Sequence, residues 1–138
     1  MAKRSYKMSR DRNSEPPEIT TDHLSVGLAA VFEIAQKWRL NDPDLRALLG
    51  EPSQPVYESW RLGNPVSVSL DTQTRISLIL RIYKTLRILY ADDLIGDTWI
   101  HQPNDEFGGR SGKDLICSNG IEGLLTVCNY LDVVRHGG

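Results

Sequence analysis

The stretch Arg75–Tyr90, RISLILRIYKTLRILY, decides how the rest of the chain is read. Ile76, Ile79, Tyr83, Leu86 and Tyr90 recur at steps of three and four, which places them on one face of a 3.6-residue helix. Leu80, Ile82 and Leu89 widen that face and leave Arg75, Arg81, Lys84 and Arg87 among the few positions suited to water. A helix this apolar must be covered on more than one side. The spacing therefore predicts a central helix, starting near Ser69 or Asp71, that organises a core or also supplies an oligomer face.

Upstream, Leu24, Leu28, Val31, Phe32, Ala35 and Trp38 trace one helical stripe, with Thr20, Thr21 or Asp22 as its cap. NDPDLRALLGEP (41–52) reads as a two-turn helix. Asp42 suits its N-cap, Pro43 its first position and Asp44 its first turn; Leu45, Leu48 and Leu49 form the buried face, and Gly50 and Pro52 stop it. SQPVYESWRL (53–62) follows as a short helix capped by Ser53. Val56 and Trp60 are assigned to the core, which turns Gln54, Tyr57, Glu58 and Arg61 outward. NPVSVS (64–69) alternates apolar and polar, but a lone strand has no partner, so it reads as an extended linker.

Downstream, ADDLIGDTWIHQP (91–103) predicts a short helix capped at Asp92, with Leu94, Ile95 and Trp99 as its apolar face. NDEFGGRSG is a loop. Ser111 and Asp114 have capping-box spacing, and Asn119 and Glu122 repeat it. The last helix is expected to bury Ile121, Leu124, Leu125, Cys128 and Leu131, with VVRHGG as a frayed end. The expectation is an all-α protein, a compact bundle of six or seven helices. Residues 1–19 read as a disordered basic arm: Lys3, Arg4, Lys7, Arg10 and Arg12 outnumber Asp11, Glu15 and Glu18, and no hydrophobic period is present. Residues 20–68 form a helix-turn-helix-like region and 69–138 a second region.

At 138 residues the chain is one domain's worth, long enough to fold without disulfide staples. Sixteen Lys and Arg against 18 Asp and Glu exclude a bulk polybasic nucleic-acid coat, though not a local basic face. No apolar run approaches the ~18–20 residues of a membrane span. The basic N-terminus has no apolar stretch behind it, unlike a secretory signal, and two cysteines, Cys117 and Cys128, fit a reducing cytoplasm. His23, His101 and His136 are scattered and the cysteines are eleven apart, so no metal-ligand spacing arises. No nucleophile elbow, phosphate-binding loop or dinucleotide fingerprint is present. The expectation is a protein with no catalytic residues, no metal and no cofactor.

The pair of short helices between Asp42 and Leu62 has helix-turn-helix dimensions. On that reading the second helix offers Ser53, Gln54, Tyr57, Glu58 and Arg61 to DNA, with Lys37, Arg39 and Arg75 nearby to offset the segment's acidic surplus.

The chain resembles the antitoxins with an Xre/MbcA/ParS-like toxin-binding domain. The resemblance rests on Trp60-Arg61-x-Gly63, on RISLILRIYKTLRILYAD, on WIHQPNDEFGG with its Pro103-Asn104 and Phe107-Gly108-Gly109, and on SGKDLICSNGIEGLLTVCNYLDVVRHG. It spans roughly residues 22–138 and is most specific in the C-terminal half. Gly112 stands where that family usually has Pro. The resemblance implies a type II antitoxin that dimerises, blocks a RES-domain, NAD-degrading toxin and in many members represses its own operon. It implies toxin-binding residues among Trp99, Ile100, Pro103, Asn104, Phe107, Gly108, Gly109, Tyr130, Val134, Arg135 and His136. A stand-alone helix-turn-helix regulator without a toxin partner is the alternative.

Overall fold

The computed structural model describes residues 21–64 and 67–137. The expected arm, residues 1–19, lies outside the described residues, as do Pro65 and Val66 of the linker. Seven α-helices follow one another: α1 (Thr21–Lys37), α2 (Asp42–Leu48), α3 (Gln54–Arg61), α4 (Leu70–Leu89), α5 (Asp93–Trp99), α6 (Gly112–Ser118) and α7 (Gly120–Arg135). A short 3-10 turn, Asp105–Phe107, lies between α5 and α6. No strand forms among the described residues beyond one isolated bridge, Pro103 to Ser111. The protein is all-α.

Local capping chemistry sets most boundaries. Asn41, one residue before the expected Asp42, caps α2 in a reciprocal box: the Asp44 amide donates to Asn41 Oδ1 at 2.8 Å and the Asn41 amide to Asp44 Oδ2 at 3.3 Å. Ser53, Ser69 and Asp92 cap α3, α4 and α5. Ser111 and Asp114 form the second box, at 3.1 and 3.2 Å. The expected third box does not form, because Asn119 makes no side-chain cap; α6 and α7 meet there at a corner, with Gly120 at φ +62°.

Helix α4 is the central element, burying Thr72, Ile76, Ile79, Ile82, Thr85 and Leu86. Helices α1 and α7 flank it, and α5 packs near its C-terminal end. Most of its apolar excess is therefore consumed inside the fold, although Leu70 and Ile88 stay exposed. The buried residues of both halves of the chain form one core cluster, from Leu28 to Leu131. The first turns of α4 also finish α2. Thr72 Oγ1 donates to the Leu49 carbonyl at 3.0 Å and Arg75 to the Leu48 carbonyl at 3.4 Å, serving oxygens at the end of the helix, and Arg75 also reaches the Ala47 carbonyl, which accepts the Gly50 amide as well. Helix α2 packs on α6, with Lys113 Nζ 3.4 Å from Asp44.

Three faces differ from expectation. In α3 the core residues are Tyr57 and Trp60, and Val56 is exposed. The Tyr57 ring lies 5.7 Å from Phe32 and its hydroxyl donates to Asp42 Oδ1 at 2.7 Å, so the larger side chain takes the interior position. In α5, Leu94 and Ile95 are 62% and 53% exposed, and the buried residue is Gly96. The helix rests there against the end of α4, with the Leu86 carbonyl oxygen 3.5 Å from where a Gly96 Cβ would stand, an ordinary contact distance. Arg87 fastens the seat with ion pairs to Asp93 (2.7 Å) and Asp97 (3.0 Å). In α7 the buried set is Gly123, Leu124, Val127, Cys128 and Leu131; Ile121 is half-buried and Leu125 is 42% exposed. The expected frayed end is helical as far as Arg135, closed by amides of His136 and Gly137 bonded to Asp132 and Val134 carbonyls.

Candidate functional site

The loop after α5 is closed on itself. The Asn104 amide donates to the Arg110 carbonyl at 3.0 Å. The amides of Phe107 and Gly109 both donate to the Asn104 carbonyl at 2.9 Å, and Asn104 Oδ1 accepts from the Glu106 amide at 2.8 Å. Gly108 and Gly109 turn the chain at φ +69° and +87°, a left-handed region that other residues enter at a cost. The Lys113 amide ties the start of α6 to the Ile100 carbonyl at 2.8 Å.

Three aromatic residues converge beneath this loop. Trp99 stacks on Tyr130 with ring centroids 6.1 Å apart and interplanar angle 21°. Phe107 meets both edge-on, 6.3 Å from Trp99 and 5.2 Å from Tyr130. Such offset and edge contacts add about 0.5–1.5 kcal/mol each beyond burial, so the cluster fixes the loop against α7. The structure thus joins residues named separately in sequence, Trp99 and Phe107 from one segment and Tyr130 from another.

It also divides the expected toxin-binding set. Ile100 is 0% and Phe107 8% exposed, so both are internal pins and neither offers a surface to a partner. Trp99, Asn104 and Tyr130 are half-buried. Pro103, Gly108, Gly109, Val134, Arg135 and His136 are exposed. Tyr130 and Val134 are four residues apart and share a face of α7, which continues the loop's outer surface toward the helix end.

The other candidate face, α2–α3, loses one member. Tyr57 is 2% exposed and cannot read a base edge. Burial, and then the Asp42 carboxylate it bonds, push its phenol well above the ordinary range. Ser53 is occupied as the cap of α3, and Gln54 Oε1 accepts from Arg46 Nη1 at 3.2 Å. Arg61 Nε donates to Glu58 at 2.9 Å. A groove of about 350 Å³ here is lined by Asp42, Glu51 and Glu58 against a single guanidinium, that of Arg46.

Among the described residues no three His, Cys, Asp or Glu side chains gather as metal ligands, and no helix is long and apolar enough to cross a membrane. Cys117 and Cys128 are free thiols, both pushed up to about 11, chiefly by burial.

The aromatic-pinned loop packs on α7, whose last turn is exposed. Residues 85–137, from the last turns of α4 through α7, match the family model of the antitoxin Xre/MbcA/ParS C-terminal toxin-binding domain. Over 130 residues the chain is 34% identical to the uncharacterized protein y4oB of Sinorhizobium fredii, an alignment covering 94% of this chain and 100% of that one. No solved structure matches. The chain belongs to the same family as that rhizobial protein, and its C-terminal part is similar to the antitoxin toxin-binding domain of the Xre/MbcA/ParS kind.

Proposed function

We propose that this chain is the antitoxin of a type II module, acting in the cytoplasm, and that its target is a RES-domain toxin that degrades NAD. The observation that carries the reading is the toxin-binding match over residues 85–137, which falls on the unit built from the end of α4, α5, the pinned loop, α6 and α7. The chain contributes surface rather than chemistry, and neither a catalytic group nor a cofactor is required of it. Arg135 and His136 close the inhibition: a guanidinium at the exposed end of α7 can pair with carboxylates or occupy the place of a substrate's charged group. The test is co-expression with the product of the adjoining gene. Growth and NAD content should collapse with that product alone and recover with this chain. No toxicity from the neighbour would leave the regulator reading in its place.

Operator binding through α2–α3 and homodimerisation are further parts of the proposal. The two-helix unit with its tight turn at Gly50 (φ +97°) and Glu51 (φ +60°) supports the first. Arg61 must leave Glu58 to reach DNA, and Arg61→Ala should then weaken operator binding by about 1–3 kcal/mol in a gel-shift titration. Equal affinity of both proteins would remove α3 as the recognition helix. An apolar groove of about 250 Å³ between α1 and α4, lined by Leu24, Gly27, Ile76 and Leu80, supports the dimer. Sedimentation showing only monomer at micromolar concentration would count against it.

A further inference from the structure

A second groove, of about 300 Å³, separates the end of α1 from α5. Lys37 and Arg39 form one wall; Leu94, Asp97, Thr98 and His101 form the other. Among the described residues Lys37, Arg39, Arg46, Lys84, Arg110 and Arg135 take part in no ion pair, and of these Lys37 and Arg39 line the groove together. Asp97 on the opposite wall is held at 3.0 Å by Arg87, which it shares with Asp93, so the two cations Lys37 and Arg39 outnumber the single carboxylate lining the groove.

The groove is preformed. His101 Nε2 bonds to the Trp38 carbonyl and so ties the two walls together. Arg39 sits at φ +56°, with the Leu40 amide closing the turn onto the Ala35 carbonyl at 2.8 Å. Its neighbour Trp38 is fully buried, which fixes the point from which the Arg39 side chain starts. Leu94 on α5 is 62% exposed and lines the groove, the one aliphatic side chain among its lining residues. Helix α5 and His101 lie inside the segment that matches the toxin-binding domain, while Lys37 and Arg39 lie outside it.

We propose that this groove docks an amphipathic segment of the toxin, an aliphatic side chain followed by a carboxylate. The aliphatic group covers Leu94 and the carboxylate lies between Lys37 and Arg39. Helix α1 thereby takes part in choosing the partner, although the toxin-binding domain begins only in α4. The inference rests on the toxin-binding reading above. A nucleic-acid strand fits less well. Asp92 and Asp93, at the start of α5 and outside the groove lining, disfavour a continuous row of phosphates along the helix, whereas a single carboxylate between Lys37 and Arg39 faces only Asp97, which Arg87 holds.

The test titrates the full chain with the product of the adjoining toxin gene, by calorimetry at low and at high salt. The variants are Lys37→Glu with Arg39→Glu, and separately Leu94→Ser; all three side chains are exposed, and melting curves check that each variant folds. The charge reversal should weaken binding about tenfold or more at low salt and flatten its salt dependence. Leu94→Ser should weaken it at both salt concentrations. If the wild-type chain binds and both variants match it, this inference fails while the toxin-binding reading stands; if the wild-type chain does not bind, both fall. Loss of duplex-DNA affinity with toxin affinity intact would make the cation pair a phosphate contact and overturn the proposal. A shift from dimer to monomer in Leu94→Ser with toxin affinity intact would overturn it in favour of a contact between copies.

Discussion

Gly123→Ala is a substitution whose sign separates packing from propensity. A Cβ added at Gly123 would stand 2.0 Å from the Leu115 carbonyl oxygen and 2.7 Å from its carbon. Even favourable C–H···O contacts sit near 3.3–3.6 Å, so α7 must retreat from α6 by roughly 1.3 Å. Neither atom can swing away, since both are backbone and the same oxygen accepts the Asn119 amide at 3.0 Å. Overpacking of this severity costs about 3 kcal/mol, at the upper end of its usual range. Alanine's better helix propensity returns about 1 kcal/mol. The net loss of about 2 kcal/mol should lower Tm by roughly 8 °C in a domain of this size. The retreat also drags Tyr130 from Trp99, so the loss of near-ultraviolet circular dichroism should accompany the lower Tm. Melting followed by far-ultraviolet circular dichroism is the assay. A Tm equal to wild type, or raised by the few degrees that propensity alone supplies, would refute the close approach of α7 to Leu115.

Arg87→Met should cost about 2 kcal/mol in urea denaturation, because it removes the pairs to Asp93 and Asp97 and the bond from Arg87 Nη2 to Tyr83 Oη at 2.6 Å; a midpoint unchanged from wild type would show that Gly96 alone seats α5. Cys117 and Cys128 are raised from an ordinary 9.0 to about 11. The folded chain therefore holds protons that the unfolded chain gives up, and stability should be fully present below pH 9 and fall between about pH 9 and 11. A cysteine-to-serine pair losing stability as steeply over that window would assign the loss elsewhere. A chain ended after Asp132 keeps the Arg81–Asp132 ion pair and the buried face of α7, so it should fold and bind toxin yet inhibit poorly. Full rescue of growth by the shortened chain would move inhibition to the loop.

The fold was legible where its causes are local. Capping residues and the stripe of α4 place the starts of α2 to α6 within a residue or two, since the side chain and the amide it bonds are neighbours in sequence, while the ends of α5 and α7 lie about three residues from expectation. Faces differ from expectation in the short helices α3 and α5 and, at Ile121 and Leu125, in α7. Two turns offer two comparable faces, and the choice in α3 falls to Asp42, fifteen residues away, which bonds Tyr57. Counting apolar residues also fails at Gly96 and Gly123, which carry no apolar side chain yet mark where helices touch. For the site, the resemblance supplied Trp99, Phe107 and Tyr130 as names. That they form one cluster, and that Ile100 and Phe107 point inward, depends on the folding of the loop under α7.

The closure of α2 by α4 bears on modularity. The Leu49 and Leu48 carbonyls are served by Thr72 and Arg75, and α2 rests on α6, so the two halves of the chain share hydrogen bonds as well as core. A chimera that transplants residues 69–137 onto another helix-turn-helix would bare Ile76 and Ile79 and unpair Arg75 from the carbonyls it serves. Recombination between relatives therefore keeps this seam intact only by carrying both halves together, whereas exposed residues of α5 and α7 can change without touching it.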